Sequence, residues 1–530
     1  VHSLIPTTPC PKRMPMLDLG TTFLAALERD PRSLAIIDGD VRLTYAEWYA
    51  RISSLVTALD DIGLKSGDHL VSVLRNRWQA ASLHWACQFS GIILTPINWR
   101  AKSDEVSYAV HDSEARAIVY EDFPAKAVAA AGLDDSVIRI SLDEGRPGER
   151  RFADLLEARG GSAKPMVNAE AWSLMLYTSG TTSKPKGVPR RQRAERAAAI
   201  AHVAQNLYGY GERTLGVMPL YHTMGVRSLL ACAITNGTFV CMPKFDAGEA
   251  IGLIERERIE NLYLVPTLYH DIVNHADFTP DRVASARKLG FAGAPMTDGL
   301  LKTLDAAFQP ELLVNHYGSS EIYTCTIDPD ARRKPGSAGK SGINQMIRVV
   351  ALESDDPEDI VAPGIEGQII ATLSGDEAFE GYWRRPEADE RALKHGWFFS
   401  SDTGYYDADG DLFVTGRLDD MIISGGENVS PVEVESLLSL HPAVSEVAVV
   451  GLPDERWGKA ITAFVATSAP VTAEELDAYC ANSTLANFKR PRAFVFVREI
   501  PKSPVGKPLR RLLVTGDYIP ATPADKETAA

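Results

Sequence analysis

From about residue 170 to residue 320, short apolar runs alternate with amphipathic helical stretches, and this alternation restricts the fold more than any other feature. Runs at 215–220, 237–242, 261–265 and 288–292 have the length and composition of strands. Helical patterns lie between them, as at 247–259, where Ala250, Ile251, Ile254 and the stem of Arg258 fall on neighbouring turns. The expected fold class is therefore α/β, with a parallel sheet in layers. At 530 residues the chain exceeds what one core accommodates, so at least two domains are expected. Residues 335–420 are Gly-rich with short β-like runs at 347–351, 368–372 and 412–415, which predicts a β-rich subdomain. After Asp419 the pattern changes again. A helix at 431–440 opens with Ser430 as cap and Pro431 as first residue, and strands at 444–450, 460–466 and 493–497 with a helix at 472–481 make a small α+β unit. The organisation reads as a large multi-layer N-terminal domain, 1–418, and a small C-terminal domain, 419–530. Residues 1–18, with Pro6, Pro9, Pro11 and Pro15, read as an extended lead-in.

The formal charge of −15 argues against nucleic acid or an anionic membrane as the main partner. No run of about 18 apolar residues predicts a membrane span, and the first residues lack the apolar core of a signal peptide. Six cysteines are scattered without CxxC or metal-ligand spacing, which fits reduced structural thiols and a cytoplasmic protein.

Residues 177–187 read Tyr-Thr-Ser-Gly-Thr-Thr-Ser-Lys-Pro-Lys-Gly and follow the apolar run 172–177. Thr178, Ser179, Thr181, Thr182 and Ser183 supply hydroxyls, Gly180 and Gly187 allow close backbone approach, and Lys184 and Lys186 add charge. That set suits a polyphosphate. It lacks the ending of a Walker loop, and a solvated turn is the plain alternative. Four further segments add weight. Tyr317-Gly-Ser-Ser-Glu321 offers an aromatic face, hydroxyls and a carboxylate able to hold magnesium. Ser401-Asp402 with Gly416-Arg417-Leu-Asp419 offers an acceptor for two ribose hydroxyls and a guanidinium for phosphate. Ser424-Gly425-Gly426 gives a glycine pair where an extended ligand can press on backbone, and Gly506-Lys507 sets a lysine on a Gly/Pro-shaped turn.

In this order and spacing the five segments resemble the adenylate-forming superfamily of acyl-CoA synthetases, peptide adenylation domains and beetle luciferases, over roughly residues 20–515. Residues 218–225, 291–294, 416–431 and 455–458 are most similar to benzoate- and halobenzoate-type CoA ligases. Two positions depart from the family pattern: Ser183 replaces a usual Gly, and Ser400-Ser401-Asp402 replaces a usual Thr-Gly-Asp.

The resemblance implies a two-step ATP-dependent reaction in which a carboxylate attacks the α-phosphorus and coenzyme A then takes the acyl group. It assigns Thr178, Ser179, Gly180, Thr181, Thr182 and Lys186 to the β- and γ-phosphates, and Glu321 to Mg2+. It places Gly293, Ala294, Pro295, His316, Tyr317, Gly318, Ser319 and Ser320 around the nucleotide, with Tyr317 on adenine, Asp402 on the ribose and Arg417 assisting. Lys507 is the expected catalytic cation, bridging the attacking carboxylate and the α-phosphate. A small domain mobile about Asp419 would then present Ser424, Gly425 and Gly426 to the pantetheine arm. Arg100, Trp457, Phe488, Lys489 and Arg490 are expected to meet the nucleotide end of coenzyme A.

His222 is expected to enter the acyl pocket or gate the thiol channel. By alignment the pocket also takes Ala201, Thr223, Met224, Ala292, Gly293, Gly318, Tyr323 and Thr324. The run 222–226 has no acid to pair a substrate ammonium, which disfavours an α-amino acid. A cyclic carboxylate, aromatic or alicyclic, is expected ahead of a medium-chain fatty acid, with transfer to a carrier protein and a non-catalytic nucleotide-binding protein as the competing classes. Expected partners are the small carboxylate and coenzyme A, with a lysine acyltransferase acting on Lys507 and a second copy of the chain as further candidates.

Overall fold

A computed structural model describes residues 18–157, 161–178, 185–424, 427–502 and 508–521. The Pro-rich lead-in lies outside these residues, except for Asp18, which caps the first helix by accepting the Thr21 N–H.

Among the described residues, a nine-stranded sheet forms half of the large domain. Its central strands, Leu34–Asp38, Thr238–Cys241, Arg213–Gly216, Asn261–Leu264, Lys288–Ala292 and Leu312–Tyr317, run parallel, and antiparallel strands close both edges. A second, seven-stranded sheet is parallel until its last pair, Trp172–Thr178 with Lys186–Arg191, which is antiparallel. Strands such as Asn261–Leu264, Thr238–Cys241 and Ala117–Tyr120 are buried at every position. Continuous burial is what a parallel strand covered on both faces requires, and it explains why these runs are largely apolar rather than alternating.

The helices Trp78–Ser90 and Thr223–Ile234 are buried almost all round, from Ala80 to Ser90 and from Thr223 to Ala233. A helix buried on every side belongs in a middle layer. Around Trp78–Ser90, Phe23 packs its ring centroid 5.0 Å from Trp85 and 5.2 Å from Trp48.

The Gly-rich stretch forms the expected β subdomain, a five-stranded sheet including Gly367–Thr372, Trp397–Tyr406 and Leu412–Arg417. The C-terminal unit is a three-stranded sheet, Val444–Asp454, Gly458–Thr467 and Ala493–Phe496, packed with the helices Pro431–Leu438 and Ala473–Ala481. Several details differ from expectation: the helix expected over 431–440 ends at Leu438, and the strand expected over 444–450 runs on to Asp454. The helix expected over 247–259 ends at Glu257 because Arg258 turns left-handed, at φ +52°. Ser430 precedes Pro431 as expected, yet its hydroxyl donates to the Thr415 carbonyl instead of capping the helix.

Candidate active site

The parallel strands of the nine-stranded sheet end at one large cavity, about 2500 Å3, which also borders the β subdomain and the C-terminal unit. Loops at the carboxyl ends of parallel strands are where such sheets bind ligands, since the chain there leaves the sheet and is free to turn.

The strand Leu312–Tyr317 delivers Tyr317 to this wall. Its hydroxyl donates to Asp402 Oδ2 at 2.6 Å, and burial first and Asp402 second push the phenol's pKa up. Asp402 and Arg417 are register partners on adjacent strands, with Arg417 Nε 3.6 Å from Asp402 Oδ1. Three residues expected at the nucleotide thus form one connected group. Gly318 follows Tyr317 where a Cβ would fall 2.3 Å from the Tyr323 carbonyl oxygen, so the turn is closed to any side chain. That turn carries Ser319, whose N–H donates to the Ile322 carbonyl at 2.8 Å, and ends in Glu321.

Glu321 is 7 % exposed. Tyr382 donates to its Oε1 at 2.7 Å, and Arg190 Nη1 holds its backbone carbonyl at 2.8 Å. The Lys186 ammonium lies 3.9 Å from the centre of the Tyr382 ring. Burial pushes the Lys186 pKa down, and the Glu321 carboxylate opposes that shift. Thr178 pairs with Lys186 across the hairpin that bears the phosphate-loop sequence. Ser179, Gly180, Thr181 and Thr182 lie outside the described residues. So does Lys507, but its flanks Lys502 and Pro508 bridge one another and line the same cavity.

His222, Thr223, Met224, Ala292, Gly293, Gly318 and Tyr323, expected at the acyl group, line the cavity, as do Ala294, Pro295, Ser319 and Ser320, expected at the nucleotide. Ala201 and Thr324 are fully buried behind the wall. Strand alternation turns His316 away from its neighbour Tyr317. The imidazole packs with His202 and Tyr263, and its Nε2 sits 3.1 Å from Asn206 Oδ1, at the C-terminal end of the helix Gln192–Gln205.

Among the described residues, Arg100, Ser424, Trp457, Phe488, Lys489 and Arg490, expected to meet coenzyme A, are not part of this cavity's lining. Arg100 stacks 3.8 Å from the Trp99 ring centre, and Trp457 lies between Arg456 and Arg492, at 4.8 and 4.5 Å. Lys489 pairs with Glu433 at 2.6 Å and Arg490 with Asp477 at 2.6 Å, while Phe488 is exposed. Ser424 is buried, and Gly425 and Gly426 lie outside the described residues.

Several supporting residues escaped the sequence. Asn76 donates to the carbonyls of Gly216 and Met218, at 2.9 and 2.6 Å, and accepts from the Leu220 N–H at 3.1 Å. It pins the segment leading to His222, which is why the strand stops at Gly216 although the apolar run continues to 220. Arg190 and Glu195 form an ion pair at 2.8 Å with both side chains at 0 % exposure, and Glu195 accepts from the Tyr323 hydroxyl at 3.2 Å. An isolated charge inside an apolar stretch, as at Arg227, was an available signal, whereas Arg190 stands in the basic run Arg190-Arg191-Gln192-Arg193 and gave none.

The AMP-binding enzyme profile matches residues 23–383, and the AMP-binding enzyme C-terminal domain profile matches residues 433–507. A 4-chlorobenzoate–CoA ligase of Arthrobacter sp is 33 % identical over 506 residues, covering 94 % of each chain. A long-chain-fatty-acid–CoA ligase of Mycobacterium tuberculosis is also 33 % identical, over 509 residues, covering 94 % of this chain and 98 % of the relative. The crystal structure of ATP-bound MatB from Rhodopseudomonas palustris superposes with a TM-score of 0.85 at 25 % identity, covering 94 % of this chain and 98 % of that one.

Proposed function

The chain belongs to the AMP-binding enzyme family, and from that premise we propose that it joins a cyclic carboxylic acid to coenzyme A through an acyl-adenylate. It is an AMP-forming acyl-CoA ligase that uses ATP and coenzyme A. The observation that carries the residue assignments is the convergence of Lys186, Glu321, Asp402 and the His222–Met224 segment on one cavity.

In the first step a carboxylate oxygen bonds to the α-phosphorus and the bond to pyrophosphate breaks. Two anions must meet, so positioning and charge compensation carry the step. In our reading Asp402 and Tyr317 hold the adenosine, Lys186 and the loop after Thr178 hold the outer phosphates, and Lys507 compensates charge between the reactants. Glu321 fits Mg2+ as a buried carboxylate on the cavity wall with one oxygen fixed by Tyr382. When bound, the ion neutralises phosphate charge. In the second step the coenzyme A sulfur bonds to the acyl carbon and AMP leaves, after the C-terminal domain swings about Asp419 to admit the pantetheine arm. Acylation of Lys507 would remove the charge that only the first step needs. No helix among the described residues is long and apolar enough to cross a membrane, and we place the enzyme in the cytoplasm.

The test is a carboxylic-acid panel with ATP, Mg2+ and coenzyme A, read by AMP release, alongside pyrophosphate exchange without coenzyme A. Cyclic acids should support both. Exchange without any acyl-CoA product would instead point to a carrier-protein acceptor. The fatty-acid relative, at the same identity as the chlorobenzoate relative, makes a linear acid the second reading, and preferred turnover of octanoate would establish it.

A further inference from the structure

The helix Ser103–Ser113 stands beside the open end of the hairpin that bears the phosphate-loop sequence, and two of its side chains reach across to it. Tyr108 and Asp112 are four residues apart and therefore share one face of that helix. The Tyr108 hydroxyl donates to the Pro185 carbonyl at 2.6 Å. Its oxygen in turn accepts from Arg385 Nη2 at 3.0 Å, and Arg385 is paired with Asp112 Oδ1. The other oxygen of Asp112 accepts from the Tyr177 hydroxyl at 2.8 Å, and the rings of Tyr177 and Tyr108 meet edge to face at 5.9 Å. Trp383, from the β subdomain, closes the group. Its Nε1 donates to the Asp112 carbonyl at 3.0 Å, and its backbone N–H donates to the Gly187 carbonyl at 2.8 Å.

These contacts fall on both strands of the hairpin at its last pair. Tyr177 precedes Thr178 on the incoming strand, Pro185 precedes Lys186 on the outgoing one, and Thr178 and Lys186 face each other. The Pro185 carbonyl and the Lys186 N–H belong to one planar peptide unit, so a bond to that carbonyl also fixes how the chain enters Lys186. One carboxylate thus ties down both ends, Tyr177 directly and Pro185 through Arg385 and Tyr108. Tyr108, Tyr177, Thr178, Pro185, Lys186 and Arg385 line the cavity, whereas Asp112, with 9 % side-chain exposure, is not part of the lining. Its charge is cancelled by Arg385, so the group braces the hairpin without adding net charge beside a site for anions. A solvated turn gains little from such a brace, because water satisfies its backbone and nothing depends on its path. A loop that must meet several phosphate oxygens gains much, since the cost of ordering it would otherwise be subtracted from binding.

We propose that Tyr108 and Tyr177, joined through Asp112 and Arg385, are positioning residues for the outer phosphates of ATP, fixing the ends of the 178–186 hairpin before the nucleotide arrives. This rests on the ligase reading above, in which that hairpin and Lys186 hold the β- and γ-phosphates. The test measures Kd by calorimetry for ATP and for AMP, each with Mg2+ and without acid or coenzyme A, on the whole chain and on its Tyr108→Phe and Tyr177→Phe variants. Both changes keep the ring and the charge and remove one hydroxyl. AMP lacks the outer phosphates, so its Kd should be unchanged. The Kd for ATP should rise by about 3- to 10-fold in Tyr108→Phe, the worth of a neutral hydrogen bond, and by at least as much in Tyr177→Phe, whose partner is charged. Variants whose two affinities fall together, or not at all, overturn the inference and leave the ligase reading standing. So does a lowered urea midpoint with an unchanged ratio of ATP to AMP affinity, which is what a purely structural brace would give. A parent chain that binds neither nucleotide overturns both.

Discussion

Tyr382 donates its hydroxyl to Glu321 Oε1 at 2.7 Å, and the same phenol ring carries the Lys186 ammonium on its face at 3.9 Å. One side chain from the β subdomain therefore sets the spacing between the carboxylate we assign to Mg2+ and a lysine we assign to phosphate. Phosphoryl-type transfer depends on such spacing, because the protein contributes position and charge rather than a covalent partner.

Tyr382→Phe removes the hydroxyl while keeping the ring beneath Lys186. Losing one hydrogen bond to a carboxylate costs about 1.5–3 kcal/mol where the geometry matters, or roughly 10- to 100-fold. Pyrophosphate exchange should slow by about that factor, with the Mg2+ concentration for half-maximal rate displaced upward. Thioester formation from added acyl-adenylate should change little. An unaltered Mg2+ titration in the variant would remove Tyr382 from this role.

The Arg190–Glu195 pair lies at 0 % exposure beneath Tyr323. Breaking a buried pair from one side strands the other charge, at about 3–5 kcal/mol. Glu195→Gln should lower the urea midpoint accordingly, and the double change Arg190→Met with Glu195→Gln should recover part of the loss. A single variant as stable as the parent would show that the pair is not held as a charged unit.

Acid should weaken the fold through its buried histidines. Burial lowers His69 to about 4 and His84 to about 3, from an ordinary 6.5, and drives His202 and His316 well down. These rings are neutral when folded and protonate when unfolded. Their contribution is complete above pH 6.5 and is lost as pH falls toward 4, with His69 alone accounting for about 3 kcal/mol across that window. Urea unfolding between pH 7 and pH 4.5 should show stability dropping steadily, and His69→Gln should remove about one proton from the slope. A flat profile would contradict the burial of these rings.

The fold was legible where local pattern suffices. After their first residues, Asn261 and Lys288, the strand runs at 261–265 and 288–292 carry no charged or strongly polar side chain because both faces are covered, and the structure places strands there, at Asn261–Leu264 and Lys288–Ala292. Tyr317, Asp402 and Arg417 could be singled out because each sits in a short segment of distinctive chemistry. What stayed hidden is held by partners far apart in the chain. Asn76 fixes backbone about 140 residues away, and Tyr382 meets Glu321 across 61. The facing of His316 depended on which side of its strand meets Asn206, the residue that ends the helix Gln192–Gln205, and strand alternation separates it from Tyr317 without saying which is which. Lys489 and Arg490, read as phosphate contacts, are paired to Glu433 and Asp477, a choice that charge alone could not make.

Ser401 gives a test in the stabilising direction. It holds a left-handed backbone, φ +62°, between Ser400, whose hydroxyl donates to the Ile369 carbonyl at 2.7 Å and accepts from the Asp402 N–H at 3.1 Å, and Asp402 itself. A side chain in that region costs about 1–2 kcal/mol, which glycine avoids. Glycine also frees the unfolded chain, returning about 0.4–1 kcal/mol of the gain. Ser401→Gly should therefore raise the urea midpoint by an amount equivalent to about 0.5–1 kcal/mol, with the KM for ATP nearly unchanged because the Asp402 backbone keeps its path. The family pattern, with Gly at this place, would then reflect conformation and not contact with the ligand. A variant that is no more stable would remove the strain argument, and one that loses ATP affinity while staying folded would assign the Ser401 hydroxyl a direct part in holding the nucleotide.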